Sequence, residues 1–132
     1  MSKTPPPQPS VLVCAPQHES KAYCFPDWIS NVKSFSYPNF EIYLSDNSEK
    51  NNFIKKIRIQ HRINADHLNS SEKSGIMRMA QSHEQCRQHA MKMGFEWMLH
   101  LETDIFPKPD IIESLLSCHQ ANKKIRVVAA PY

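Results

Sequence analysis

The chain has 132 residues, 40% of them apolar and 22% charged, with a formal net charge of +3. That length suits one domain able to bury roughly two thirds of its unfolded surface, and so mild a charge lacks the dense basic footprint of a nucleic-acid protein. No apolar run reaches the ~20 residues of a membrane span, the first ten residues hold no signal-peptide core, and Cys14, Cys24, Cys86 and Cys118 show no C-x-x-C or zinc spacing, so a cytoplasmic chain with free thiols is expected.

Residues 1–10, with Pro5, Pro6, Pro7 and Pro9, read as a disordered or polyproline lead-in, and 11–132 as the domain. Val11 to Ala15 is a short continuous apolar run, the mark of a strand buried on both faces of a mainly parallel sheet. Trp28, Ile29, Val32 and Phe35 follow at helical spacing, with Pro26-Asp27 as the start. Phe40, Ile42 and Leu44 alternate with Glu41, Tyr43 and Ser45, predicting a strand that ends at Asp46. A short polar helix is expected near Glu49–Lys55. Ile57 and Ile59 then alternate with Arg58 and Gln60 as a third strand, though Ile54 and Ile57 also suit a helix.

His61 to Gly75 reads as a loop. Ile76 to Met93 is the longest helical candidate, with Ile76, Met79, Ala80, His83, Ala90 and Met93 near one stripe and Gly94 at the left-handed cap position. Phe95–Leu101 is a strand. Pro109 and Asp110 open a helix carrying Ile111, Ile112, Leu115, Leu116 and His119, and Val127 to Ala130 forms a last short strand. Strand and helix alternate throughout, which argues for an α/β layered domain with a mainly parallel sheet flanked by helices.

The fourth strand runs into Glu102-Thr103-Asp104. In an extended chain these two acids share a face, about 7 Å apart along the backbone. Paired carboxylates at the open end of a strand make a poor core and a good seat for a hard divalent cation, Mg²⁺ or Mn²⁺. Ligands of such sheets bind beyond the carboxyl ends of the strands, where Asp46 also falls. Each residue has a plainer reading as well. Both acids suit a solvated strand end, Asp46-Asn47-Ser48 is also a turn and helix-cap sequence, and Arg87 is also an ordinary helix-surface arginine. His100 shares a strand face with Glu102 and could approach the site, although such a histidine is more often a satisfied partner inside a sheet–helix layer. Lys55, Lys56, Arg58, His61 and Arg62 form the densest basic patch, the usual composition of a solvated face.

Three pieces together resemble the GT-A glycosyltransferases, particularly the family 2-like enzymes. They are the opening strand Val11 to Ala15 with Pro16-Gln17-His18, the strand end Leu44-Ser45-Asp46-Asn47-Ser48, and the run from Cys86-Arg87 through Met93-Gly94-Phe95 to Glu102-Thr103-Asp104, continuing Ile105 to Ile112. The resemblance implies a Rossmann-like GT-A fold and a nucleoside-diphosphate sugar, UDP- or GDP-linked, passed to an acceptor that it leaves unnamed. It implies that Pro16, Gln17, His18, Asp46 and Arg87 border the nucleotide and that Asp104, with Glu102, holds the metal. The family's usual first acid is aspartate where this chain has Glu102. The resemblance covers the nucleotide-sugar half alone, so a truncated domain is expected, with the acceptor half and catalytic base beyond Tyr132. A non-catalytic nucleotide-sugar-binding or interaction module built on the same fold is the alternative. With only Gly75 and Gly94 in the chain, no glycine-rich loop cradles phosphates, which fits a diphosphate held by metal.

Overall fold

The computed structural model describes residues 8–130. Four strands, β1 (Val11–Gln17), β2 (Phe40–Asp46), β3 (Asn64–His67) and β4 (Trp97–His100), form one parallel sheet in the order β3-β2-β1-β4. Helices α1 (Phe25–Lys33), α2 (Asn52–His61), α3 (Gly75–Met93) and α4 (Ile111–Ala121) connect and follow them, and a single 3₁₀ turn, Glu19–Lys21, precedes α1. The α/β class and the parallel sheet are as the alternation predicts.

Each strand of a parallel sheet presents two buried faces, and here two apolar clusters separate accordingly. Val11, Val13, Ala15, Leu44 and Ala65 pack against Phe25, Trp28, Ile29 and Val32 of α1, Ile54 and Ile57 of α2, and Ile112 and Leu116 of α4. On the opposite face Leu12, Cys14 and Tyr43 meet Cys86 and Ala90 of α3. The result is three layers with β1 at the centre, all seven of its residues buried.

Four expectations need correction. The third strand is not at Ile57 and Ile59: that stretch is α2, and β3 lies in the segment expected to be a loop. Ile54 and Ile57 are 2% and 3% exposed while Ile59 is 81% exposed, so burial follows the helical i, i+3 spacing and not the strand's i, i+2. On α3 the buried stripe is Ser82, Cys86 and Ala90. Ile76, Met79 and Met93 are exposed, because the helix outreaches the sheet at both ends. Residues 127–130 make no strand; Val127 is 87% exposed, and the segment shares the lining of one cavity with β4, whose outer edge is unpaired among the described residues. Finally, Glu102-Thr103-Asp104 is a turn and not extended chain, closed by the Ile105 amide donating to the Glu102 carbonyl at 3.1 Å.

Gly94 caps α3 with φ +76°, the left-handed position that its sequence context predicts. The expected tail falls mostly on residues outside those described. Its last three residues are tied down: the Asn39 side-chain amide donates to the Gln8 carbonyl, Tyr37 to that of Pro9, and Ser10 pairs with Glu96. All four cysteines are free, with only Cys118 exposed. No helix among the described residues is long and apolar enough to cross a membrane.

Candidate functional site

The strand order puts β2 and β3 on one side of β1 and β4 on the other, so the chain reverses direction across the sheet between β1 and β4. Ligand crevices of open α/β sheets form at such a reversal, outside the carboxyl ends of the strands. A pocket of about 280 Å³ lies there, lined by Pro16, Gln17 and His18 at the end of β1, Ser20 and Lys21 of the 3₁₀ turn, Asn47 after β2, Arg78 and Met79 of α3, and Glu102 after β4. That volume is just under the ~300 Å³ at which small-molecule pockets begin, so it suits one part of a ligand that continues outside.

Its walls are cross-braced. The Asn47 amide donates to the Gln17 carbonyl at 2.8 Å, the Glu19 amide to Ser48 Oγ at 2.8 Å, and Ser48 Oγ to Asp46 Oδ1 at 2.7 Å. Asp46 is fully buried, its other oxygen 2.9 Å from His67 Nδ1. With both oxygens engaged, it anchors the Asn47-Ser48 wall and does not itself line the pocket. The side-chain oxygens of Gln17 and Asn47 are buried there without hydrogen-bond donors among the described residues. A buried acceptor left unpaired costs about 1–3 kcal/mol, and since both residues line the pocket, a side-chain rotation would turn either amide toward a ligand's N–H or O–H groups.

Beside the pocket the turn at 102–104 buries Thr103 completely and leaves the two acids at the rim, with Glu102 37% and Asp104 44% side-chain exposed. Cys24 Sγ lies 3.3 Å from both the Thr103 and the Lys21 carbonyls, which share its one S–H, and this ties the acidic turn to the 3₁₀ turn. Lys21 Nζ reaches Asp104 Oδ2 at 2.7 Å. That bond holds the Asp104 carboxyl below its usual range and raises the Lys21 ammonium, to which Glu102 also contributes. In water such a pair contributes only about 0–1 kcal/mol, so it gives way readily to a better partner. Among the described residues no three His, Cys, Asp or Glu side chains converge on a common point.

His83 Nε2 lies 4.0 Å from Glu102, and its Nδ1 3.4 Å from His100, whose own neighbour on β1 is Cys14 at 3.9 Å. Desolvation, then the charge of His83, pushes the His100 pKa below its ordinary 6.5, and desolvation does the same to His61 and to His89, which stacks on Tyr43 with ring centroids 3.9 Å apart. Histidines with a lowered folded value bind protons better when unfolded. Their stability contribution is therefore present above pH 6.5 and falls away as the pH drops from there toward the folded values. Urea unfolding at pH 7.5 and pH 5 should show the lower midpoint at pH 5; equal midpoints would contradict this.

Of the residues singled out from the sequence, Pro16, Gln17, His18 and Glu102 line one pocket, Asp104 stands at its rim through Lys21, and Asp46 braces its wall. Arg87 is not brought there. It pairs with Glu84 on the same helix at 2.6 Å, which holds the Glu84 carboxyl at about 2. Lys21, Asn47 and Arg78 escaped the sequence reading. Asn47 alone had a signal, its place beside Asp46; Lys21 lies 83 residues from its partner, and Arg78 looks like any other helix arginine.

No protein-family model matches the sequence, and no curated protein does. Solved structures do share its fold. TarS from S. aureus matches over 85% of this chain and 20% of its own, with 16% identity and a TM-score of 0.54. TarS 1-349 in complex with UDP matches over 86% and 33%, with 13% identity and a TM-score of 0.58, and its complex with UDP-GlcNAc over 86% and 32%, with 15% identity and a TM-score of 0.55. The chain thus spans a third or less of the length of these neighbours. At such identities the likeness concerns architecture alone: the chain shares the α/β fold of the matching part of TarS.

Proposed function

We propose that the chain is the nucleotide-sugar-binding part of a family 2-like GT-A glycosyltransferase, which takes a UDP- or GDP-linked donor and passes its sugar to an acceptor whose site lies elsewhere. One observation carries the reading. At the β1/β4 reversal a single pocket combines unpaired amide oxygens (Gln17, Asn47), two cations (Lys21, Arg78) and an acidic rim (Glu102, Asp104). A nucleoside diphosphate has the matching parts: N–H and hydroxyl donors at one end and a diphosphate at the other. The fold shared with a protein solved with UDP and UDP-GlcNAc supports the same assignment. In this reading Pro16, Gln17 and His18 border the nucleoside, and Asp46 acts on it through Asn47. Arg87, which lies outside the pocket lining, has no part in it.

The acidic rim fits a hard divalent cation. Two partly exposed carboxylates offer oxygen donors, and Mg²⁺ or Mn²⁺ sites that carry nucleotides take one or two carboxylates and complete the shell with phosphates and water. Asp104 and Glu102 would hold the ion, with Lys21 yielding Asp104 to it. Bound there, such an ion neutralises charge developing on the departing diphosphate. The chain's own residues bind and orient the donor.

The reading is tested by thermal shift with UDP-GlcNAc and GDP-mannose, each with Mn²⁺ and with chelator. Stabilisation by one donor, larger with Mn²⁺, is the expected result; a melting temperature indifferent to every nucleotide would overturn it. The non-catalytic alternative keeps this binding, and donor hydrolysis by the same chain separates the two.

A further inference from the structure

The reading above leaves open what the two pocket cations do. Lys21 sits on the 3₁₀ turn with its ammonium on Asp104, in the field of Glu102 as well. Arg78 lines the same pocket, is half-buried, and among the described residues forms no ion pair. A partly desolvated guanidinium facing a cavity without a carboxylate partner is poised for an anion.

We propose that Lys21 is a shuttling cation: it neutralises Asp104 before the nucleotide arrives and transfers to the diphosphate when it binds, where Arg78 is the second phosphate contact. The inference rests on the nucleotide reading. Three features support the transfer. The Lys21–Asp104 pair is exposed on both sides, at 36% and 44%, so little holds it closed. A lysine ammonium is a compact charge on a flexible four-carbon stem, able to change partners without moving the backbone. A diphosphate also carries more negative charge than a carboxylate, and it would enter a pocket that both cations line.

Two consequences follow. Nucleoside diphosphate binds measurably without divalent metal, because the chain supplies cations of its own. Nucleotide and metal also bind cooperatively, since the nucleotide draws Lys21 away and frees Asp104 for the ion; by linkage each raises the other's affinity by the same factor.

The test is calorimetry with UDP and GDP in chelator, and with Mn²⁺ alone, on the wild type, Lys21→Met, Arg78→Met and Lys92→Met. Lys92 lies in the last turn of α3, outside the pocket, and controls for the loss of one charge. In chelator the first two substitutions should each weaken nucleotide binding about tenfold or more, the usual effect of losing a charge-assisted contact, while Lys92→Met stays at the wild-type value. Lys21→Met should also bind Mn²⁺ alone several-fold more tightly than wild type. Lys21→Gln serves in its place if the methionine variant fails to fold, as judged by circular dichroism. Wild-type affinity for nucleotide in Lys21→Met, or a wild type that binds nucleotide only with Mn²⁺, would overturn the shuttle and leave the nucleotide reading standing. Absence of nucleotide binding under every condition would remove both.

Discussion

Trp28→Ala should cost about 3–5 kcal/mol, the range for truncating a buried aromatic side chain, read as a shift of the urea midpoint with little change in slope. Trp28 has no exposed surface, lies in the larger apolar cluster, and packs its ring 5.8 Å from that of Phe25. It belongs to the α1 face that covers β1 and β2, so alanine leaves a cavity in the layer joining helix to sheet. Against a typical total of 5–15 kcal/mol, a loss of that size brings much of the population close to unfolding. Its indole N–H has no acceptor among the described residues. Trp28→Phe should therefore be milder than volume loss alone implies, because it removes an unsatisfied donor along with the ring edge. A Trp28→Ala midpoint within error of wild type would mean that α1 does not pack as described.

Asp104→Ala should separate function from stability. The residue is 44% side-chain exposed and its only ion pair among the described residues is the solvated one with Lys21, so the unfolding free energy should stay within about 0.5 kcal/mol of wild type. With Mn²⁺ present, the affinity for a nucleotide-sugar donor should fall at least ~10-fold, since even supporting residues of metal sites cost that much when removed. In chelator the same variant should bind nucleotide at least as well as wild type, because Lys21 is no longer held by the carboxylate. Titration of the variant under both conditions checks this. A donor affinity in Mn²⁺ equal to that of the wild type would remove Asp104 from any metal-holding role.

The central layer of the fold was legible because its residues obey simple rules. Val11 to Ala15 is apolar at every position, as a strand covered on both faces must be, and Phe40, Ile42 and Leu44 keep the period of two. The misreadings share a physical cause: local patterns were ambiguous and tertiary contacts decided them. Ile54, Ile57 and Ile59 suit either a helix or a strand, and the choice was made by which of them could reach the core beside α1. On α3 the apolar side chains at Ile76 and Met79 run past the sheet, while small residues, Ser82, Cys86 and Ala90, face it. Close approach of that helix to the sheet favours such small side chains, and a search for large apolar stripes passes over them.

The site divides in the same way. Its contiguous parts, Pro16 to His18 and Glu102 to Asp104, are visible in the sequence because each sits at the end of a readable strand. The parts that make it a pocket come from elsewhere. Lys21 reaches Asp104 because Cys24 ties the two turns together, and Arg78 enters because α3 begins over the β1/β4 reversal. Neither relation leaves a trace in local spacing. Asp46 shows the converse: its position at a strand end was clear, but its fully buried carboxylate supports the neighbouring wall.

Amide chemical-shift mapping during a UDP titration in Mn²⁺ tests the nucleotide seat most directly. The account predicts saturable changes concentrated at Gln17, His18, Lys21, Asn47, Arg78 and Glu102, with α4 and the basic face of α2 at Lys55, Lys56 and Arg58 unmoved. Changes confined to that basic face, or none at saturating nucleotide, would contradict it.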